Sequence, residues 1–254
     1  MIDTHCHLTD ERLLSQLDDV LHRAQAAGVT RMITIGTDLA DDRAAIALCH
    51  GRDNLRCAIG IHPNYTQTAA VEDVEQVLDL QKDQSVVALG EMGLDYFHKF
   101  ADRAHQAQLF EAQMALAQQV NKPVIIHSRE AIDDTLSIMA SFPAVRAVFH
   151  CFTGTAAEAE KILHAGYWIS FTGPVTYKKN DALRDVVKAM PIDRLMVETD
   201  APYLSPEPMR SHKNNEPALV MYTAAKVAEV KGISLEELDR ITTANAGKFF
   251  GWGP

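Results

Sequence analysis

Short runs of β-branched and apolar residues recur along the chain, and each gives way to a longer stretch whose apolar positions repeat at helical spacing. Eight such runs are placed near Ile2–His7, Arg31–Gly36, Arg56–His62, Val86–Glu91, Pro123–His127, Ala147–Cys151, Tyr167–Phe171 and Arg194–Thr199. The helical stretches between them fall at Asp10–Ala27, Ala40–His50, Val71–Gln81, Arg103–Asn121, Ala131–Ser141, Ala156–Ala165 and Ala182–Met190. Two more helices, Pro217–Val230 and Leu235–Phe250, close the chain, the last as an extra C-terminal helix. Strands alternating with helices predict parallel βαβ units, and eight of them predict an α/β fold of the (β/α)8 TIM-barrel kind. Gly28 and Gly166 stand where a glycine ends a helix before a strand, and Ser234 with Glu237 reads as a capping box.

Composition adds bounds. A chain of 254 residues, 47% hydrophobic and 23% charged, matches one barrel of roughly 250 residues, so a single domain over 1–254 is expected. Apolar runs such as Val86–Leu89 and Val124–Ile126 are far shorter than the roughly 18 residues of a membrane span. No basic, apolar leader precedes Ile2-Asp3-Thr4-His5, so a cytoplasmic location is expected, with no membrane partner. Cys6, Cys49, Cys57 and Cys151 show no CxxC spacing and read as reduced thiols. A net charge of -10 argues against a broad basic surface for duplex DNA, so any nucleic-acid contact should be local and metal-centred. The loop Ala201–Glu216, rich in Pro, Asn and Ser, is long enough to be a functional suspect.

The polar residues embedded in apolar strands gather at the strands' C-terminal ends, the active-site face of this fold. His5 and His7 close the first strand, Glu91 the fourth, His127 the fifth and His150 the sixth, while Asp200 follows the eighth. Spaced two apart, His5 and His7 share one strand face and Cys6 takes the other. Four imidazoles and two carboxylates suffice for one open metal site or two, with Glu91 as the natural bridge between two cations about 3.5–4 Å apart. The other histidines, His22, His50, His98, His105, His164 and His212, lack this register and are read as ordinary packing or surface residues.

Six runs carry a family resemblance across nearly the whole chain: Asp3-Thr4-His5-Cys6-His7, Gly60-Ile61-His62-Pro63, Gly90-Glu91-Met92-Gly93-Leu94-Asp95, Lys122-Pro123-Val124-Ile125-Ile126-His127-Ser128-Arg129, His150-Cys151-Phe152-Thr153-Gly154 and Glu198-Thr199-Asp200-Ala201-Pro202-Tyr203-Leu204. In that order they resemble the TatD-type deoxyribonucleases. The resemblance implies that His5, His7, Glu91, His127, His150 and Asp200 hold a pair of divalent metals. It also implies DNA as substrate, often attacked from the 3′ end. One departure is Asn214, where relatives commonly carry Arg before the Asn-Glu/Gln-Pro sequence.

The mechanism expected is attack of a metal-bound hydroxide on phosphorus, with Asp200 accepting the water proton and Glu91, the bridging carboxylate, as the other catalytic residue. His62 is expected to donate to a phosphate oxygen and Arg129 to clamp phosphate, unless it pairs with Glu130 or Asp133. Asp95 and Glu198 are expected to orient ligand histidines, and Tyr65, Tyr96 and Phe97 to offer stacking faces to unpaired bases. Histidine-rich ligation favours Zn²⁺ or Mn²⁺ over Mg²⁺, which can still serve at cellular concentration. The expected partner is DNA with single-stranded or frayed ends, with no obligate protein partner. The rival readings are hydrolysis of a carbonyl ester or amide, such as an aminoacyl-tRNA ester, and a metal-binding barrel without catalysis.

Overall fold

The computed structural model describes residues 1–252 and divides into two compact units: residues 1–34 with the chain from His150 onward, and residues 35–149. In the first unit β1 (Ile2–Cys6) pairs in parallel with β2 (Arg31–Ile35), and β7 (Trp168–Phe171) with β8 (Leu195–Val197). The end of β1 lies against the segment leaving β8, where His7 N donates to Ala201 O at 2.7 Å and Asp200 N to His5 O at 2.9 Å. In the second unit β3 (Leu55–Ile59), β4 (Val86–Asp95), β5 (Val124–Arg129) and β6 (Ala147–Phe149) succeed one another as parallel neighbours.

The helices of the first unit are α1 (Glu11–Leu14), α2 (Leu17–Ala26), α7 (Ala156–His164), α8 (Asp181–Ala189), α9 (Val220–Lys231) and α10 (Leu235–Phe250). Those of the second are α3 (Leu39–Cys49), α4 (Val74–Leu80), α5 (Arg103–Val120) and α6 (Ile132–Met139). Side-chain oxygens of Asp38, Asp102, Thr155 and Ser234 accept from the first-turn N–H groups of α3, α5, α7 and α10, which those turns cannot satisfy internally. Among the described residues, no helix is long and apolar enough to cross a membrane.

Several expected element boundaries are corrected. The single helix expected over Asp10–Ala27 is two helices, because Gln16 leaves the helical region at φ -135° and re-aims α2 so that Val20 and Ala24 are buried. Strand four does not end at Glu91. It continues to Asp95, because Met92, Gly93 and Leu94 pair with Ile126, His127 and Ser128 of β5. Gly93 makes that pairing possible: at φ +140°, a Cβ there would sit 2.0 Å from His127 O. β6 and β8 are shorter than expected, so His150 lies in the segment that follows β6, while Asp200 follows β8 as the sequence predicts.

All of β1 is buried, as a strand covered on both faces should be. Each fully buried large apolar side chain of this core contributes about 1.5–3 kcal/mol. α10 packs Phe249 against Trp168 with the rings tilted and their centroids 5.6 Å apart, and anchors the start of β8 through Asn245 Nδ2, which donates to Leu195 O at 2.8 Å.

Two buried glutamines of α5 hold strand ends as a neighbouring strand would. Gln113 accepts from Ile61 N at 2.7 Å and donates to Ile61 O at 3.1 Å; Gln106 accepts from Asp95 N at 2.9 Å and donates to Asp95 O at 3.1 Å.

The turn into β4 is held by Asp83. Its carboxylate accepts from Ser85 Oγ at 2.7 Å and Ser85 N at 2.8 Å, and meets His50 Nε2 at 3.0 Å. The Ser85 bonds pull the Asp83 carboxyl down to about 2. A depressed acid stabilises the fold fully above its unfolded value of about 3.9. That contribution is lost as pH falls through the folded value. Asp83→Asn is therefore expected to flatten the acid limb of a melting-temperature profile between about pH 4 and the folded value; a limb as steep as in the unchanged protein would show that another acid sets it.

Candidate functional site

In the first unit, His5 is the penultimate residue of the buried β1 and His7 lies one residue beyond that strand, both directed to the same side by strand alternation. Their Nε2 atoms are 3.3 Å apart, and Asp200 Oδ1 lies 3.6 Å from the first and 3.4 Å from the second. Asp200 holds this place in a left-handed conformation, φ 56°, which costs a non-glycine residue on the order of 1 kcal/mol. Burial opposes its charge, but the His7 bond and the nearby His5 and His150 imidazoles outweigh that and keep its carboxyl below the usual range. The His150 ring stacks on His5 at 4.0 Å between centroids, and His150 Nδ1 is 3.4 Å from Glu198 Oε1. Glu198 is fixed in turn by the Cys151 N–H at 2.7 Å.

The second unit brings together His62, Glu91 and His127. Glu91 Oε1 is 2.8 Å from His127 Nδ1 and 3.3 Å from His62 Nε2. On its other edge, His127 Nε2 meets Asp95 Oδ2 at 3.0 Å, the arrangement in which a ligand imidazole donates its spare N–H to a carboxylate. Burial resists the charge on Asp95, yet bonds from His127 and His98 hold its carboxyl well below the normal range.

Both groups fit a divalent cation by their donor chemistry. Ligand atoms about 2.0–2.1 Å from a tetrahedral ion lie about 3.3 Å from one another. The spacings of 3.3, 3.4 and 3.6 Å around Asp200 match that edge with no rearrangement of the backbone. His62 fits less well, although it is near enough to belong. Its Nδ1 accepts from Asn64 N at 3.0 Å, so the ring proton resides on Nε2, and an imidazole so committed is a donor rather than a ligand.

Arg129 lies over the Phe97 ring, 4.3 Å from its centroid, and among the described residues it pairs with neither Glu130 nor Asp133. Tyr96 is held by Asp134 at 2.8 Å, while Phe97 is half exposed. Cys6 turns from the histidines to Ile33 O at 3.4 Å.

Three residues of this region escaped the reading of the chain. Asp3 is buried and ties β1 to the acid-bearing turn, accepting from Thr199 Oγ1 at 2.6 Å and Thr199 N at 2.9 Å; burial pushes it up to about 8 despite those bonds. Asn215, also buried, donates to Thr199 O at 2.9 Å and Tyr203 O at 2.6 Å, closing the loop that follows Asp200. His98, read as an ordinary histidine, binds Asp95 Oδ2 at 2.8 Å beside His127. A polar residue inside an apolar pattern was the available signal for Asp3, and the Asn-Glu-Pro sequence at 215–217 was one for Asn215; none marked His98.

The family model described as TatD related DNase matches residues 2–251. A Bacillus subtilis protein described as the uncharacterized metal-dependent hydrolase YabD is 40% identical over 252 residues, 98% of each chain. A protein of Erwinia tasmaniensis described as the 3′-5′ ssDNA/RNA exonuclease TatD is 35% identical, covering 98% of this chain and 99% of that one. The crystal structure of YJJV, a TatD homolog from Escherichia coli K12, superposes with a TM-score of 0.93 at 29% identity, covering 99% of this chain and 98% of that one. That likeness bears out the (β/α)8 barrel expected from the alternation of strands and helices.

Proposed function

The chain belongs to the TatD related DNase family and is a metal-dependent hydrolase of ester bonds, and from that premise we propose that it cleaves phosphodiester bonds of DNA, from single-stranded or frayed 3′ ends. The observation that carries the proposal is the convergence of His5, His7 and Asp200 at cation-ligand spacing. In this reading His5, His7 and Asp200 hold one divalent ion with His150 beside them, and Glu91 and His127 hold another. Their nitrogen-rich donor sets favour Zn²⁺ or Mn²⁺, with Mg²⁺ as a possible cellular substitute. When bound, such cations supply Lewis acidity, acidifying water and offsetting the charge that gathers on phosphoryl oxygens.

The protein's own groups do the rest. Asp200, kept ionised by His7, accepts the proton of the attacking water. Asp95 fixes the orientation of His127, and Glu198, 3.4 Å from His150 Nδ1, complements that imidazole by charge. In this reading His62, whose Nδ1 accepts from Asn64 N, donates from Nε2 to a phosphate oxygen.

The test combines elemental analysis of the purified protein with hydrolysis of single-stranded DNA labelled at either end, beside an aminoacyl-tRNA ester as comparator. Metal near two equivalents and release of nucleotides from the 3′ end are expected, both lost in Glu91→Ala. Cleavage of the ester with intact DNA would replace this reading by its carbonyl-directed rival.

A further inference from the structure

Asp200 opens a loop whose far part differs in charge from the rest of this acidic chain. On residues 177–180, after β7, and 207–214, after β8, stand the cations Lys178, Lys179, Arg210 and Lys213, with Glu207 as the only carboxylate. All four cations are exposed. The neighbouring acid Asp181 is taken by Arg184. Among the described residues, no carboxylate pairs with Lys178, Lys179 or Lys213.

The two segments are locked into one surface. Gly173 approaches Leu204 O so closely that a Cβ there would sit 2.0 Å from it. Glu207 N donates to Thr176 Oγ1 at 2.8 Å, and the Arg210 guanidinium lies 4.0 Å above the Tyr177 ring. Ser205 Oγ donates to His212 O at 3.0 Å. Arg184 donates to Val175 O at 3.0 Å and Tyr177 O at 2.7 Å, so the carbonyls of the first loop are turned inward. The loop that carries Lys213 is the one that Asn215 ties back to Thr199, next to Asp200.

Like charges held together on fixed loops repel one another, a cost that a polyanion removes. We propose that the paired loops after β7 and β8 track the backbone of a single-stranded polynucleotide, binding phosphates beyond the one held for cleavage. This rests on the function proposed above and deepens it: the substrate is a polymer gripped over several nucleotides. A small ester would leave these cations without use. The contact is electrostatic and carries no base preference.

The test is binding of a short fluorescent oligothymidylate, made resistant to cleavage by phosphorothioate linkages, measured by anisotropy over a range of salt. Removing three phosphate contacts in Lys178→Ala/Lys179→Ala/Lys213→Ala is expected to flatten the slope of log affinity against log salt by roughly 2, at about 0.7 per contact on a single strand. Affinity at low salt should fall at least about tenfold, as expected for several lost phosphate contacts. The corresponding triple Lys→Arg variant should keep both slope and affinity, and a triple Lys→Gln variant should repeat the alanine result if alanine disturbs the loops. Equal slopes in the unchanged and neutralised proteins would overturn the inference. Absence of any phosphodiester hydrolysis by the unchanged protein would instead overturn the function proposed above and leave this binding result standing.

Discussion

Asp200→Asn is expected to lower the rate of ester hydrolysis by on the order of 10³-fold while leaving the melting temperature nearly unchanged, the scale of a lost general base. The amide has the shape of the carboxylate and can occupy the same left-handed turn, since Asn tolerates that conformation as well as Asp does. What it removes is charge. The Asp200 oxygen now stands 3.4 and 3.6 Å from two imidazole nitrogens and is kept ionised by them. A neutral oxygen there binds a cation more weakly and takes no proton at neutral pH. Steady-state kinetics at saturating metal separate the two losses: a defect that excess metal cures belongs to ion binding, and one that persists belongs to proton transfer. A variant retaining more than about a tenth of the activity would remove Asp200 from both roles.

The largest effect on stability is expected at Gly93. Gly93→Ala forces a Cβ to within 2.0 Å of a backbone oxygen, His127 O, from a residue at φ +140°. The oxygen belongs to the partner strand, so relief requires β4 and β5 to part where they carry Glu91 and His127. A loss of about 3–5 kcal/mol is expected, at the upper end of single substitutions. That corresponds to a fall in melting temperature of roughly 10 °C for a chain of this size. Gly28→Ala is the control: φ is +88°, but nothing lies within 4 Å of the added methyl, so only the conformational cost of about 1–2 kcal/mol remains. Similar melting temperatures for the two variants would show that β4 and β5 yield easily.

The barrel was legible because buried strands and their helices differ in period, and eight alternations admit few topologies. The metal-capable residues were legible because an imidazole or carboxylate inside an apolar run has no bland explanation repeated so often. What escaped depended on returns of the chain. The length of β4 was misjudged because Glu91 looked like a terminus, although pairing through Gly93 carries the strand to Asp95. His98 meets Asp95 only because the loop after β4 folds back, with Phe97 N and His98 N donating to Asp95 Oδ1 at 3.0 and 2.8 Å. The break between α1 and α2 was hidden by leucines that keep helical spacing across it, and the role of Asn215 by the return of its loop onto Thr199.

Gln106 and Gln113 stand two helical turns apart and clasp the chain beyond β3 and at the end of β4. Such a helix works as a caliper. Inserting or deleting one residue between the two amides would swing one of them about 100° off its target. Evolution can therefore exchange letters in that stretch but not alter its count, and length changes among natural variants should collect in the outlying connections instead.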